Sequence, residues 1–338
     1  MREGEAVKPA ETCLILGAGA SVPYGYPTGR DLAREIIKRG KQGDNAWARA
    51  DELPTVKLRA LNLATMFEAS LDEHPTIDSF LAQFAGSPEH SEGRELYETG
   101  RMLIADVIRR REQPQQGVVD WYTLLFEHLE RSAKSGFAWP LRIITFNYDR
   151  SLEFHLARYH AWKTGLLQQE ARHWLFERVP VLHVYGDVGP LPDGQPKRDD
   201  FAPEYGVWTG SQFWKGRETT KIMRDDDTGA EAYAECQRWI GEAEYVIVLG
   251  FGYDQMNCDR VGLSKIPDQK CVLTSAYDRN EHQRIRTALS RQHSHVGLAG
   301  DDCFRFLLRT QVLTRALNGW PAADLVARLG SKGEGAGR

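Results

Sequence analysis

The feature that most constrains the fold is the alternation of short apolar runs with longer stretches of helical periodicity. Runs of this length predict buried strands, and helical sequence separates most of them along the chain. The alternation predicts an α/β fold with a Rossmann-like parallel sheet and helices on both of its faces. The predicted strands are Thr12–Leu16, Leu141–Phe146, Pro180–Val184, Tyr245–Leu249, Cys271–Thr274 and His295–Leu298.

Helical patterns fill most of the sequence between the first two predicted strands. Thr28 and Asp31 have the spacing of a capping box, which predicts a helix that runs to about Arg39. A helical module is predicted as an insertion at about 41–135 within a domain spanning 12–310, and 311–338 as a C-terminal helix and flexible tail. The other predicted helices are Thr76–Phe84, Glu95–Arg110, Val118–Leu129, Ala230–Trp239 and Asn280–Arg291.

Composition narrows the class of protein. The 338 residues are 41% hydrophobic and 27% charged, as in a soluble globular protein. A net charge of −4 provides no general attraction to nucleic acid or to an anionic membrane, and the basic run Arg109–Arg111 is interpreted as a solvated helix end. No apolar stretch approaches the ~20 residues that span a bilayer. A cytoplasmic protein is predicted, with neither membrane nor direct nucleic-acid binding.

The cysteines argue against a structural zinc site. The chain has 5 of them, scattered and without any C-x-x-C pair. A zinc ribbon built from close cysteine pairs is therefore excluded, and no metal is predicted. The motifs H-E-x-x-H, G-x-x-x-x-G-K-[ST] and G-x-S-x-G are also absent, which removes the commonest metalloprotease, P-loop and hydrolase interpretations.

Glycine and polar residues follow four of the predicted strands, at the point where each strand ends. Ligands of open parallel sheets bind beyond the carboxyl ends of the strands, so these segments are expected to meet around one ligand. The four segments are Gly17–Ser21, Asn147–Asp149, His183–Gly186 and Gly250–Gly252.

Each segment also has an interpretation that needs no ligand. Gly17–Ser21 fits a phosphate-binding turn, but Val22 replaces the third glycine of G-x-G-x-x-G, and a tight strand-to-helix turn explains it equally well. Gly250 and Gly252 allow a second close backbone approach or form a plain turn. Asn147 and Asp149 offer donors and acceptors to a ribose, or cap the helix that follows. His183 titrates near neutral pH and is either a general base or a satisfied core histidine.

Six short motifs, taken together and in this order, resemble the sirtuin-like family. The resemblance implies a Rossmann-like NAD⁺ domain in which Gly17, Ala18, Gly19 and Ser21 line the phosphates. The motifs are GAGAS (Gly17–Ser21), GYPT (Gly25–Thr28), TIDSFL (Thr76–Leu81), TFNYD (Thr145–Asp149), LHVYG (Leu182–Gly186) and VLGFGYD (Val248–Asp254).

The resemblance also implies roles for the other segments. Asn147 and Asp149 would lie at the nicotinamide ribose, and His183 would match the catalytic histidine of the family. The remaining implied cofactor contacts are Thr28 in the GYPT motif, Gly250 and Gly252 by the phosphates or adenine ribose, and Tyr277 with Asp278, Asp302 and Cys303 near adenosine.

Two departures separate the chain from the protein deacylases of the family. It lacks the zinc ribbon, and two residues stand between His183 and Gly186, which are adjacent in most deacylases. With its helical insertion, the chain is similar to the bacterial branch that hydrolyses NAD⁺ during antiphage defence. The expected function is that of a regulated NAD⁺ glycohydrolase that produces nicotinamide and ADP-ribose and arrests the infected cell by NAD⁺ depletion.

In this mechanism Asn147 positions the ribose and a water, His183 is the general base, and Asp149 orients these groups or offsets the charge of the transition state. NAD⁺ is the substrate, and a homo-oligomer is expected, with a partner subunit such as an ATPase or nucleotide-processing protein encoded nearby. Two alternatives remain open. One is a regulatory subunit that binds NAD⁺ or an ADP-ribose derivative without turnover, and the other is an NAD-dependent deacylase.

Overall fold

A single parallel sheet organises the protein. The computed structural model describes residues 8–43, 53–113, 120–134, 138–192, 202, 204–207, 227–267, 270–277, 279–289 and 294–333. Six strands form the sheet in the order β3-β2-β1-β4-β5-β6, and every neighbouring pair is parallel. The strands are β1 (Thr12–Leu16), β2 (Leu141–Thr145), β3 (Val181–His183), β4 (Tyr245–Leu249), β5 (Cys271–Thr274) and β6 (Ser294–Val296). The α/β, Rossmann-like fold predicted from the sequence is confirmed.

The strand order reverses direction between β1 and β4. The chain builds outward from β1 through β2 to β3, then returns to β4 on the other side of β1 and builds outward again. Because parallel crossovers are right-handed, the two halves place their helices on opposite faces of the sheet. A crevice opens at such a reversal, beyond the carboxyl ends of the strands, and dinucleotides bind there in folds of this strand order.

The central strands end at the same level. Leu16 of β1 lies opposite Thr145 of β2 and Leu249 of β4, and Thr145 lies opposite His183 of β3. β1 and β4 are buried along their whole length, which explains their continuous apolar sequence. The segments that follow these strands therefore begin side by side at one edge of the sheet.

Helices account for the rest of the regular structure. Between β1 and β2, the described residues form helices and connecting turns but no strand. The segment after residue 311 contains two helices, where one was predicted. The helices are α1 (Gly29–Gln42), α2 (Leu53–Ala69), α3 (Ile77–Ala82), α4 (Glu92–Arg109), α5 (Trp121–Lys134), α6 (Ser151–Thr164), α7 (Gln168–Phe176), α8 (Asp227–Glu242), α9 (Gln255–Arg260), α10 (Arg279–Ala288), α11 (Cys303–Thr310), α12 (Val312–Leu317) and α13 (Ala322–Gly333).

The helices inserted between β1 and β2 pack directly on the glycine-rich turn after β1. The Trp121 indole Nε1 donates to the Ala20 carbonyl at 2.8 Å, and the Tyr122 amide donates to the Tyr24 hydroxyl at 3.2 Å. The rings of Tyr24 and Tyr122 stack with their centroids 3.8 Å apart. Helix α5 therefore holds the turn through its first two residues.

The basic run at the end of α4 differs from the prediction of a solvated helix end. Arg109 is only 1% exposed, and its guanidinium donates to the Val188 carbonyl at 2.7 Å. Arg110 pairs with Asp106 at 2.9 Å, and Arg111 pairs with Glu35. The prediction is wrong for Arg109, because the chain after β3 packs over this helix end and buries the Arg109 guanidinium. No helix in the described part of the chain is long and apolar enough to cross a membrane.

Candidate functional site

The segments that follow β2, β3 and β4 meet at the carboxyl edge of the sheet. Phe146, which follows β2, lies between the other two segments. Its ring centroid is 5.7 Å from that of Tyr185 after β3 and 4.8 Å from that of Phe251 after β4. The Val188 amide donates to the Tyr148 carbonyl at 3.0 Å, which ties the β3 segment to TFNYD a second time. The predicted convergence of the strand ends is therefore present.

The glycines after β1 and β4 let two stretches of backbone touch. The Gly17 amide donates to the Leu249 carbonyl at 3.0 Å, and the Gly19 amide donates to the Gly250 carbonyl at 2.9 Å. A Cβ on Gly17 would lie 2.5 Å from the Gly250 oxygen, and one on Gly250 would lie 2.2 Å from the Ala20 nitrogen. Gly250 also has a φ of +59°, which favours glycine.

This packing bears on the phosphate contacts predicted for the turn. The Ser21 amide donates to the Ala18 carbonyl at 3.1 Å, so the amides of Gly17, Gly19 and Ser21 are all bonded within the protein. A phosphate would have to replace these bonds or bind beside them. Gly252 differs, because it is exposed and a Cβ there would meet nothing within 4 Å. Of the predicted glycine contacts, Gly252 is the one that the protein leaves open to a ligand.

Asn147 is held by a buried hydrogen-bond network. Its Nδ2 donates to the Ser21 Oγ at 2.8 Å, so the amide is oriented with Nδ2 toward Ser21. The Ser21 hydroxyl also interacts with the Asp149 carboxylate and lowers the pKa of that group. The opposite atom of the Asn147 amide, Oδ1, is buried and has no hydrogen-bond partner among the described residues. Asn147 itself is 9% exposed.

Asp149 contacts the start of α6 and is also part of this network. Its Oδ1 accepts from the Ser151 amide at 3.0 Å and from the Ser151 hydroxyl, two residues along the chain. The N-cap position of α6 is Arg150, so Asp149 bonds the first residue of the helix from just outside it, while the Asn147 side chain is bonded to the glycine-rich turn. Burial raises the pKa of Asp149, although its hydrogen bonds to Ser151 and Ser21 oppose that shift.

His183 is part of an ion pair that the sequence did not predict. Its Nε2 lies 2.7 Å from Oε1 of Glu153, on the first turn of α6, and its Nδ1 lies 2.9 Å from the Asn147 carbonyl oxygen. Both partners accept hydrogen bonds, so both ring nitrogens donate and the ring is an imidazolium. Burial is the largest single influence and lowers the pKa, but the Glu153 carboxylate, Asp187 and the Asn147 carbonyl together outweigh it and raise the pKa of His183 to about 9.

This arrangement differs from that of a general base. An imidazolium whose two N–H groups are already bonded has no lone pair to accept a proton. The general-base role predicted for His183 requires the ring to leave Glu153 or the Asn147 carbonyl. The second oxygen of Glu153, Oε2, is buried without a hydrogen-bond partner among the described residues, and it is an acceptor next to the histidine.

A second polar cluster crosses the top of the sheet. The Tyr185 hydroxyl, after β3, donates to the Asn257 Oδ1 and accepts from Arg260 at 2.6 Å, both on α9 after β4. Asp78, in TIDSFL, accepts a hydrogen bond from the Tyr148 hydroxyl, and burial raises its pKa. Asp78 and Tyr185 lie in the motifs TIDSFL and LHVYG, whereas no local pattern pointed to Asn257 or Arg260. Arg260 contributes a positive charge at this edge.

The remaining residues predicted to contact the cofactor make hydrogen bonds that do not involve Asn147. The Thr28 side chain accepts from the Asp31 amide and donates to its carboxylate at 2.7 Å, which forms the expected cap of α1. Tyr277 is 67% exposed after β5, and its carbonyl accepts from the Gly300 amide at 2.9 Å. Asp302 caps α11, and Cys303 is buried in that helix. Asp278 lies outside the described residues.

All five cysteines are buried and none forms a disulfide, and burial raises the pKa of Cys13, Cys236, Cys258 and Cys271. In the described part of the chain, no three histidine, cysteine or acidic side chains are grouped as metal ligands. No protein-family model and no curated protein matches this sequence. The sirtuin-like resemblance therefore stays a hypothesis that rests on the motifs and on the site they form.

Proposed function

We propose that the protein is an NAD⁺ glycohydrolase whose site lies at the carboxyl edge of the sheet, around Asn147. The observation that carries the proposal is the buried Asn147 amide, which Ser21 fixes on one side while Oδ1 has no partner among the described residues. A buried acceptor without a partner costs on the order of 1–3 kcal/mol, which a ligand that donates a hydrogen bond would recover. Ribose hydroxyls and water are such donors.

The strand order supports a dinucleotide as the ligand. The reversal between β1 and β4 places the glycine-rich turn and the Gly250–Gly252 segment at the position where folds of this order bind the diphosphate. Gly252 leaves room for close approach, and the Arg260 guanidinium offers a positive charge at the same edge. The backbone amides of Gly17, Gly19 and Ser21, which were predicted to bind the phosphates, already donate to carbonyls of the protein. The proposal therefore assigns them a smaller part in diphosphate binding.

The reaction follows from the chemistry of the N-glycosidic bond. The bond between C1′ and the nicotinamide nitrogen breaks, and its electron pair neutralises the pyridinium ring. A water oxygen then bonds to C1′, and the water releases one proton, so that NAD⁺ and water yield nicotinamide, ADP-ribose and a proton. Positive charge develops on the ribose in the transition state. The site's contribution is to hold the ribose and water in the reactive geometry.

The protein's residues divide these tasks. Asn147 Oδ1 accepts from a ribose hydroxyl or from the water. Ser21 keeps the amide in that orientation by accepting a hydrogen bond from its Nδ2, and Asp149 interacts with Ser21 in turn. All three side chains are buried. The Glu153–His183 pair lies on the other side of Asn147 and contributes a carboxylate oxygen that offsets positive charge on the ribose.

One observation favours a second candidate function. Both nitrogens of His183 are bonded within the protein, which suits a subunit that binds NAD⁺ or an ADP-ribose derivative without turnover. A role in antiphage defence, with a homo-oligomer or a partner subunit as the regulator, rests on the family resemblance alone. It is part of the proposal only as the physiological setting for NAD⁺ depletion.

Incubation of purified protein with NAD⁺ tests the proposal, with nicotinamide and ADP-ribose separated and quantified by chromatography. The incubation is repeated with lysate of phage-infected cells, and once more with an acylated lysine peptide. Equal amounts of nicotinamide and ADP-ribose support the hydrolase. Binding of NAD⁺ without product under every condition supports the regulatory subunit, and nicotinamide release that depends on the peptide supports the deacylase.

A further inference from the structure

The ion pair between Glu153 and His183 connects two elements that are 30 residues apart in the chain. Glu153 lies on the first turn of α6, and His183 ends the neighbouring strand β3. The two side chains are largely buried, with 16% and 11% of their surfaces exposed. The charged pair is therefore shielded from solvent. Away from water, a carboxylate stabilises the proton of a neighbouring imidazolium more strongly than it does at an exposed position.

We propose that Glu153 is a positioning residue: it keeps both nitrogens of His183 protonated, and the charged ring holds the Asn147 main chain at the site. The argument rests on the two acceptors that flank the ring, the Glu153 carboxylate at 2.7 Å and the Asn147 carbonyl at 2.9 Å. A neutral ring carries one N–H, so it could satisfy only one of these acceptors.

The groups around the ring agree with this assignment. Burial disfavours the imidazolium, whereas Glu153 from α6 and Asp187 from the segment after β3 both favour it. The same balance raises the pKa of His183 to about 9. Asp149, two residues before α6, accepts hydrogen bonds from Ser151 and interacts with Ser21, so its carboxylate is bonded away from the His183 ring.

The pair completes the immobilisation of Asn147. Ser21 holds its side-chain amide, and the imidazolium holds its main-chain carbonyl, so the residue is fixed at two points. Loss of the Glu153 charge would neutralise the ring near physiological pH and release one of the two acceptors. The Asn147 Oδ1 would then be held less firmly toward its ligand, and this misalignment would lower the rate of nicotinamide release.

The importance of the pair for catalysis rests on the proposed function, but the protonation state of His183 does not. The direction of the pH dependence distinguishes a positioning role of His183 from a general-base role. If the charged ring positions Asn147, nicotinamide release falls as pH rises through about 9, the pKa of His183. If the ring is instead a general base, release rises with pH until that pKa is passed.

Nuclear magnetic resonance of protein labelled at its histidine ring nitrogens tests the inference, with the His183 signal assigned from a His183→Gln variant. Wild type, Glu153→Gln and Glu153→Asp are titrated. The matched control is Glu177→Gln, which removes an exposed carboxylate 3.0 Å from the His173 ring. Thermal unfolding of each variant is measured in parallel, so that loss of the pair is distinguished from loss of the fold.

The expected wild-type ring is doubly protonated at pH 7.5 and loses its proton near 9. In Glu153→Gln the transition should fall by at least about two pH units, toward or below an ordinary histidine pKa. The Glu153→Asp variant should keep part of the elevation, and the Glu177→Gln control should leave His183 unchanged.

A neutral His183 in wild type at pH 7.5 would overturn the inference, whether or not NAD⁺ is cleaved. A folded Glu153→Gln variant in which His183 still titrates at the wild-type pH would overturn it as well, and Glu153→Ala replaces that variant if it fails to fold. A charged ring in a protein that never cleaves NAD⁺ would count against the proposed function and leave the positioning role of Glu153 intact.

Discussion

Replacement of Gly250 by alanine should destabilise the protein far more than the same change at Gly252, two residues away. At Gly250 the φ of +59° costs an alanine about 1–2 kcal/mol. The new Cβ would lie 2.2 Å from the Ala20 nitrogen and 2.4 Å from the Gly19 carbonyl carbon. Both are backbone atoms, so the two loops must separate, which adds about 1–3 kcal/mol of overpacking. The hydrogen bond from the Gly19 amide to the Gly250 carbonyl, worth about 1 kcal/mol, is then strained as well.

These contributions predict a loss of about 3–6 kcal/mol in the free energy of unfolding for Gly250→Ala. For a chain of 338 residues this corresponds to a fall in Tm of roughly 4–8 °C. Urea denaturation and thermal unfolding measure both quantities. Gly252→Ala meets no atom within 4 Å, so its stability should stay within about 0.5 kcal/mol of wild type. In the proposed site, the added methyl at Gly252 should instead weaken NAD⁺ binding by about tenfold or more. Equal stabilities for the two variants would refute this account of the glycines.

Three further predictions concern the elements around the site. Glu112→Gln removes the negative charge of a buried ion pair, in which the Arg150 Nε lies 2.7 Å from the Glu112 carboxylate, and should cost about 3–5 kcal/mol in urea denaturation. The exposed pair Arg238–Glu242 is the control, and Glu242→Gln should change stability by less than about 1 kcal/mol. Thr28→Ala should lower stability by about 1 kcal/mol by removing the cap of α1, and unchanged NAD⁺ affinity in this variant, measured by calorimetry, would show that Thr28 is not a ligand contact. Because the pKa of His183 is raised, its ion pair stabilises the folded state fully below pH 6.5 and loses this contribution as pH rises through about 9. Glu153→Gln should therefore remove a stability difference between pH 7 and pH 10 that wild type shows, and identical pH profiles would contradict the pairing.

The strands could be predicted closely because their burial imposes a simple pattern. β1, β4 and β5 begin and end where the apolar runs predicted, since these strands are buried on both faces and tolerate no polar interruption. β6 was predicted one residue late at its start, at His295 rather than Ser294. The helix α7 went unpredicted, because its sequence, QQEARHWLF, groups its large apolar residues at the end and shows no clear helical stripe.

The chemistry of the site could be predicted only in part. Asn147, Asp149 and His183 stood out because each follows a buried strand, and the structure brings them into one network with Ser21. Glu153 did not stand out, since an acidic residue in the first turn of a helix is ordinary and its partner lies on another strand. The role of the glycines was also ambiguous, because close approach of a second loop and close approach of a phosphate demand the same residue.

The rate of nicotinamide release at saturating NAD⁺, compared between wild type and Asn147→Ala, tests the central claim most directly. Asn62→Ala is the matched control, since this asparagine lies on α2 and its amide is 3.4 Å from Glu92 at an exposed position. The affinity of each protein for ADP-ribose is measured on the same samples. We expect Asn147→Ala to lose about 100-fold or more in rate while it still binds ADP-ribose, and Asn62→Ala to match wild type. An Asn147→Ala variant that releases nicotinamide at the wild-type rate would contradict the placement of the reaction at this residue.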